Sequence, residues 1–143
     1  MSSSSMPIPQ GNYRPATRFG DLIYTSGMTP RDHGVLTMTG KVSAAQPLES
    51  YRDAVRLATG NALIAARSQL AENEHIAGAV SLTVYIAAES DFTTHPKLAD
   101  FASEYLCEEL GAAGVASRAA IGVATLPGNA PIEIQLIAAV SSK

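Results

Sequence analysis

The chain has 143 residues, of which 46% are hydrophobic and 16% charged, and it carries a formal net charge of −3 with a pI of about 5.5. This hydrophobic content suffices for one domain with its own core and excludes a chain that is disordered throughout. The acidic balance argues against a general nucleic-acid binder, which normally presents a basic surface.

Targeting and redox signals are sparse. The single cysteine, Cys107, excludes an internal disulfide framework and is typical of a reducing compartment. The first residues have neither the basic nor the apolar region of a signal peptide. No apolar run approaches the roughly 18 residues that span a membrane. We therefore expect a cytoplasmic protein without membrane contact, with a flexible tail over residues 1–10 and a single domain over residues 11–143.

The first half of the chain predicts two strands and a helix. Residues 13–19 and 21–27 are rich in aromatic and β-branched side chains, and Gly20 between them predicts a tight hairpin. Turn signals then surround a short piece at residues 35–38. A long helix follows, since apolar residues recur at helical spacing at Tyr51, Val55, Ala58, Ala62, Ala66 and Leu70.

The second half alternates between strands and a helix. Apolar residues alternate with polar ones from Val80 to Ile86, which predicts a strand with one buried face. A helix is predicted at about residues 97–110, ended by Gly111 and Gly114. The apolar segments 117–127 and 132–140 are joined by a turn rich in Pro and Gly, and this pattern predicts a β-hairpin.

This order of elements predicts a two-layer α/β sandwich, with a mixed sheet that carries two helices on one face. Two helices cover only one side of such a sheet. The other side would expose Val, Ile and Ala to water, so we expect oligomerisation to bury it.

Two charged residues stand out in the last two apolar segments. Arg118 opens the first, and Glu133 lies near the start of the second. An arginine holds a carboxylate through two parallel hydrogen bonds, and a glutamate orients and deprotonates a water molecule. Together they predict a metal-free hydrolytic site for an anionic substrate. On spacing alone, a structural ion pair between them across the predicted hairpin is favoured over catalysis.

The pattern of Arg118, Leu126-Pro127 and Ile132-Glu133-Ile134 resembles the C-terminal signature of the Rid family. These are the reactive intermediate deaminases, also called YjgF-like and historically endoribonuclease L-PSP. The resemblance covers nearly the whole chain, and its further segments are Gly11-Asn12-Tyr13, Tyr24-Thr25-Ser26-Gly27-Met28-Thr29-Pro30, Thr83-Val84-Tyr85-Ile86 and Asp91-Phe92.

The resemblance implies a chorismate-mutase-like fold and a homotrimer with sites between subunits. It implies a 2-iminobutanoate/2-iminopropanoate deaminase type of enzyme, which hydrolyses 2-enamine and 2-imine acids to 2-keto acids and ammonia without a cofactor or metal. The implied partner is a small carboxylate-bearing enamine or imine. Matched by position, Arg118 would grip the substrate carboxylate, Glu133 would hold the attacking water, the Ala120 carbonyl would help to place it, and Tyr13, Ser26 and Gly27 would line the site.

The chain also departs from the best-known members. Residues 94–101 form a stretch that looks about five residues longer, and Asp100 stands where those members have an asparagine. An aspartate there would repel a carboxylate or favour a basic group. The chain therefore resembles a longer-loop side branch, and the departure bears on the substrate more than on the chemistry.

The sequence is also compatible with functions other than general imine and enamine hydrolysis. The altered loop motivates a dedicated catabolic enamine deaminase of the aminomuconate type. A non-catalytic small-molecule-binding protein would use the same cleft without turnover. RNA cleavage, suggested by the older family name, lacks the basic surface interleaved with aromatic residues that it needs.

Overall fold

A five-stranded mixed sheet carries two long helices on one face in the computed structural model, which describes residues 5–142. Residues 1–4 of the predicted tail lie outside the described residues. In chain order the elements are β1 (Ala16–Phe19), β2 (Leu22–Thr25), β3 (Arg31–Asp32), β4 (Val35–Leu36), α1 (Arg52–Arg67), β5 (Glu74–Ala87), α2 (His95–Leu110), β6 (Ser117–Val123) and β7 (Ile132–Ser142).

The main sheet has the order β1-β2-β7-β5-β6, and β3 pairs only with β4. Both helices pack against each other and against the sheet, which confirms the predicted α/β fold with two helices on one face. The core between the layers is lined by fully buried aliphatic side chains. Its largest members are Ile23, Leu63, Leu82, Ile86, Leu98, Leu106, Ile132, Ile134 and Leu136.

The predicted hairpin at Gly20 is confirmed, because β1 and β2 pair antiparallel around this residue. Gly20 adopts a φ of +65°, a left-handed conformation that glycine takes without steric cost. Arg18 ties the hairpin to the start of β5 through Glu74, with Nη1–Oε1 and Nη2–Oε2 distances of 2.6 and 2.8 Å. The first strand is shorter than predicted, and Tyr13 lies before it.

Both predicted helices are present. α2 begins two residues earlier than predicted, with Pro96 in its first turn, and it ends at Gly111. The predicted apolar face of α1 points into the core, since Tyr51, Val55, Ala58, Ala62 and Ala66 are buried, whereas Leu70 lies beyond the helix end and is partly buried.

β5 is longer than its alternating segment, and it contains an irregularity that the pattern did not reveal. Leu82, Val84 and Ile86 are buried as predicted, but Val80 is 42% exposed. The pairing of β5 with β7 slips by one residue between Ala79 and Ser81. This bulge removes Val80 from the alternation, because one extra residue in a strand reverses the face of the residues before it.

The predicted hairpin between the last two segments is wrong. β6 pairs parallel with β5, and β7 pairs antiparallel with the opposite edge of β5, so β5 separates them. The connection, residues 124–131, contains a 3₁₀ turn at Pro127–Asn129 and exceeds the two to five residues of ordinary hairpin loops. With β5 between β6 and β7, the backbone N–H and C=O groups of three strands form hydrogen bonds rather than those of two.

This topology also overturns the predicted ion pair between Arg118 and Glu133. Arg118 lies beside Leu82 in the register, on the face that the helices cover. Glu133 lies beside Tyr85. Tyr85 is three residues from Leu82 along β5, so Tyr85 and Glu133 lie on the opposite, open face of the sheet. The two side chains therefore leave the sheet in opposite directions.

The open face of the sheet carries exposed apolar side chains, with Tyr24, Val80 and Ile121 each between 39% and 42% exposed. An uncovered apolar surface of this kind favours association, and the expected oligomer stays a prediction. In residues 5–142, no helix combines the length and hydrophobicity that a membrane crossing requires.

The buried side of β5 makes a stability prediction. Val84→Ala should lower the free energy of unfolding by about 2 kcal/mol, because it removes buried carbon atoms and leaves a cavity. Val115→Ala is the matched control, since Val115 is 70% exposed and should change stability by less than about 0.5 kcal/mol. Urea unfolding at one protein concentration measures both, and equal effects would contradict the assigned burial.

Candidate functional site

Glu133 lies in a cleft on the open face, near the start of β7. Its neighbours Ile132 and Ile134 are fully buried, which fixes the strand and turns Glu133 outward. A short bridge beyond β2 holds the facing segment, because Met28 and Ile134 exchange backbone hydrogen bonds of 2.7 and 2.8 Å. The cleft is lined by Tyr13, Ser26, Gly27, Pro127, Glu133 and Gln135.

Gly27 allows the carboxylate of Glu133 to lie directly against the backbone. A Cβ atom at this position would stand 2.6 Å from Cδ and 2.9 Å from Cγ of Glu133, which is closer than real Cβ contacts. A larger residue here would therefore displace the carboxylate. The family resemblance places Gly27 in the site, and the need for glycine at this position thus has a steric basis in this chain.

Ser26 and Tyr13 form the neighbouring wall. The Ser26 hydroxyl donates to the Arg14 carbonyl at 2.6 Å, and the Ser26 backbone N–H donates to the Pro15 carbonyl at 2.8 Å. The hydroxyl thus holds the preceding loop, as a structural rather than a nucleophilic serine does. The Tyr13 hydroxyl accepts a hydrogen bond of 2.9 Å from the Gln10 backbone N–H, and the ring is 44% exposed at the rim.

Burial raises the pKa of the Glu133 carboxyl above its ordinary value of 4.5. Within residues 5–142, no donor forms a hydrogen bond to this carboxylate and no cation pairs with it. A carboxylate in this environment gives up its proton less readily than an exposed one. It is thereby suited to take a proton from water and to return it to a leaving group.

Arg118 lies elsewhere in the chain, against the first turns of α2. Its Nη1 donates to Asp100 Oδ1 at 2.8 Å and to Ser103 Oγ at 3.0 Å, and its Nη2 donates to the Pro96 carbonyl at 3.3 Å. The side chain is 22% exposed. Its guanidinium therefore already has a carboxylate partner, Asp100.

The structure brings together four of the predicted site residues: Tyr13, Ser26, Gly27 and Glu133. The other three do not join them within one chain. Arg118 and Asp100 form the ion pair just described, and Ala120 shares the helix-covered side of β6.

Two further cleft residues were missed by the sequence reasoning. Gln135 lies two positions after Glu133, on the same face of β7, and its Nε2 donates to the Thr25 carbonyl at 3.5 Å. Strand alternation from Glu133 is a signal that would have found it. Pro127 reaches the cleft through the 3₁₀ turn, whose path depends on the misassigned hairpin.

Metal-binding side chains do not gather in the described part of the chain. No group of three or more His, Cys, Asp or Glu residues has a geometry suited to a metal ion there. The histidines stay apart, with His33 against Asp32 and His95 against the Phe92 ring.

The fold and site define a two-layer α/β protein with a desolvated glutamate in a cleft at one end of its sheet. The family model described as Endoribonuclease L-PSP matches residues 3–140. The chain therefore belongs to this family, which is the Rid or YjgF family, and the family resemblance of the sequence is confirmed.

Solved structures agree with this assignment. The Agrobacterium tumefaciens protein Atu1372, described as having unknown function, is 31% identical with a TM-score of 0.82, and the match covers 96% of this chain and 86% of that one. A Shewanella oneidensis protein, provisionally described as an endoribonuclease, is 30% identical with a TM-score of 0.83, over 94% and 89% of the two chains.

More distant relatives share the fold. Escherichia coli TdcF with bound serine is 21% identical with a TM-score of 0.64, over 96% of this chain and 94% of that one. Among curated proteins, TCP17 of Trypanosoma cruzi is 25% identical over 130 residues, which cover 90% of this chain and 81% of TCP17.

The raised pKa of Glu133 predicts a pH-dependent stability. The folded protein holds this proton more tightly than the unfolded chain, so the contribution of Glu133 to stability is full below the unfolded pKa and is lost as the pH rises through the folded pKa. Glu133→Gln should therefore raise the melting temperature at pH 8 relative to wild type, and the gain should vanish near pH 4.

The control for this measurement is Glu72→Gln, which removes a negative charge at an exposed position. It should not reproduce the pH-dependent gain. An equal gain for Glu133→Gln at both pH values would contradict a desolvated carboxyl group.

Proposed function

We propose that this protein hydrolyses 2-enamine or 2-imine acids to 2-keto acids and ammonia, with Glu133 as the acid-base group. The observation that carries this proposal is the half-buried Glu133 carboxyl, whose pKa is raised by burial and which lies against Gly27 in an open cleft. Membership of the Rid family supports the same chemistry.

The reaction needs one proton carrier and one water molecule. The substrate reacts as the protonated imine. The carboxylate of Glu133 takes a proton from the water as its oxygen attacks the imine carbon, and the new C–O bond gives a neutral carbinolamine. Glu133 then gives that proton to the nitrogen. As the C–N bond breaks and the C=O bond forms, the hydroxyl proton passes to the Glu133 carboxylate, and ammonia and the keto acid leave. Glu133 finally releases this proton to solvent. A pKa nearer neutrality than that of an exposed glutamate suits both halves of this cycle.

We propose that Arg118 joins the site from a neighbouring subunit. In one chain Arg118 and Glu133 leave opposite faces of the sheet, but β6, which carries Arg118, is an edge strand that a second copy can approach. The apolar open face supplies the surface for such an assembly. A homotrimer with three sites between subunits, which the family resemblance implies, is the arrangement we propose.

The relatives' names bear on this proposal in two ways. The TdcF structure contains serine, an amino acid whose carboxylate and amino groups are close in size to those of a 2-imine acid. The word endoribonuclease in the family description points to RNA instead. The net charge of −3 favours the small substrate, because RNA binding draws on positive charge.

Ammonia release from 2-iminopropionate and 2-iminobutyrate, generated in situ by an amino-acid oxidase, tests this function. Glu133→Gln should lower kcat by at least about 100-fold, the usual scale of general acid-base catalysis. Arg118→Ala should raise KM and lower kcat/KM, because it removes the carboxylate contact. Absence of turnover by the wild type would favour a binding protein, and RNA cleavage that survives both substitutions would contradict the proposal.

A mixing experiment tests whether the site is shared between chains. Arg118→Ala and Glu133→Gln protein should each have only the reduced activity predicted above when assayed alone. Subunits exchanged in equal amounts should recover up to about a quarter of the wild-type activity, since one interface in four then combines two intact residues. No recovery after demonstrated exchange would place both residues' functions within one chain.

The ion pair between Asp100 and Arg118 makes a further prediction. A substrate carboxylate competes with Asp100 for the guanidinium, so Asp100→Asn should raise kcat/KM for 2-iminopropionate by about tenfold. The stability loss should stay below about 1 kcal/mol, because Asp100 is 57% exposed. Glu104→Gln, on the same helix, is the control, and reduced kcat/KM in Asp100→Asn would make the pair part of the working site.

A further inference from the structure

Arg31 is a second cation beside the Glu133 cleft, and no function assigned above uses it. It lies in β3, directly after Pro30, and its carbonyl accepts a hydrogen bond of 2.9 Å from Asn61 Nδ2, a buried side chain of α1. The backbone of Arg31 is therefore fixed to the helix layer.

The guanidinium of Arg31 has few partners. Nη1 donates to the Gly34 carbonyl at 2.7 Å. Nε is buried and forms no hydrogen bond, and it is the only such buried side-chain atom in residues 5–142. An arginine has five N–H donors, and leaving them desolvated without acceptors is unfavourable.

The charge of Arg31 is also unbalanced within the described residues. None of the salt bridges found there includes Arg31, and the adjacent Asp32 directs its carboxylate to His33 Nδ1 at 2.8 Å. Arg118, in contrast, has Asp100. Arg14, beside Tyr13, also has no salt bridge within residues 5–142, but it is exposed, whereas Arg31 is partly buried and lines a depression. Arg31 is thus the partly buried arginine near the cleft whose charge has no carboxylate partner.

Arg31 lines a depression that adjoins the Glu133 cleft. Tyr13 and Gly27 belong to the walls of both, with Glu133 in one and Arg31, Thr29 and Asn61 in the other. A small ligand in the Glu133 cleft that extends past Gly27 therefore enters the depression that Arg31 lines.

We propose that Arg31 forms an anion subsite for a second acid group of the substrate. The substrate class is then a 2-imine or 2-enamine acid with a carboxylate on its side chain, placed so that the carbon attacked by water lies near Glu133. The donor that a ligand can reach is Nη2, which forms no hydrogen bond within residues 5–142 and, unlike Nε, is not enclosed by the protein. It lies beside Gly128, next to Pro127 of the cleft wall, and a guanidinium suits a carboxylate because it can donate to both of its oxygens. This inference rests on the proposed function for its reaction but not for its binding site.

The binding test uses glutarate and butyrate, which have the same chain length apart from the second acid group. In calorimetry, wild-type protein should bind glutarate at least about tenfold more tightly than butyrate. Arg31→Gln should abolish this difference, and Arg31→Lys should retain part of it because the charge remains. Arg67→Gln, at the C-terminal end of α1, is the control for loss of a positive charge, and melting curves establish that each variant is folded.

Two results would overturn the inference: equal binding of both acids by the wild type, or an unchanged glutarate preference in folded Arg31→Gln protein. A turnover arm separates this inference from the proposed function. Selective glutarate binding that depends on Arg31, without turnover of any imine, supports the subsite and rejects the deaminase. Turnover of 2-iminopropionate without any glutarate preference supports the deaminase and rejects the subsite.

Discussion

The pairing of β5 on both of its edges is the constraint on which the arrangement of the site depends. β5 pairs with β6 along one edge and with β7 along the other. Although β6 and β7 are consecutive in sequence, they therefore do not pair with each other. The same pairing turns Arg118 towards the helices and Glu133 towards the open face. The separation of Arg118 from Glu133 within one chain is thus a consequence of backbone hydrogen bonding and of strand alternation.

The layer beneath Glu133 explains why its carboxyl group is desolvated at the surface of a small protein. Ile132 and Ile134 are fixed in the core, so β7 cannot shift to move Glu133 into water. Gly27 brings the opposite backbone into contact with it. A carboxylate held between an apolar strand and a peptide backbone loses water without gaining a counter-charge, and this raises its pKa.

Much of the fold was predictable because its signals are local. The helical spacing of Val55, Ala58 and Ala62 and the turn at Gly20 each depend on a few neighbouring residues, and each prediction is confirmed. Strand pairing is not local. The segments 117–127 and 132–140 have the composition of a hairpin, but each pairs with β5, which ends 30 residues before β6 begins and 45 before β7 begins, and no local pattern reveals that pairing.

The candidate site also combines residues that could be predicted from the sequence with residues that could not. Glu133 was identified from its place in an apolar segment, and Gly27, Ser26 and Tyr13 by resemblance. The fold brings Gly27 and Glu133 together because they flank the bridge between Met28 and Ile134, and the Ser26 hydroxyl holds the segment that carries Tyr13. The exposure of Val80 was unpredictable, since a single-residue bulge leaves no mark in the alternation that follows it. Arg31 was missed for a related reason: its feature is the absence of a carboxylate partner within residues 5–142, which only the positions of the neighbouring carboxylates reveal.

Arg118 and Arg31 differ in how readily each can bind a substrate carboxylate. Arg118 is held by Asp100, so a carboxylate that approaches it must displace an existing ion pair and gains only the difference between the two interactions. Arg31 has a carbonyl acceptor and no carboxylate, so an anion there gains the whole interaction. If affinity followed these differences alone, Arg31 would determine whether the cleft prefers acids with one or two carboxylates, and Arg118 would determine how the substrate is oriented. The departure at Asp100 would then weaken the binding of acids with one carboxylate more than that of acids with two.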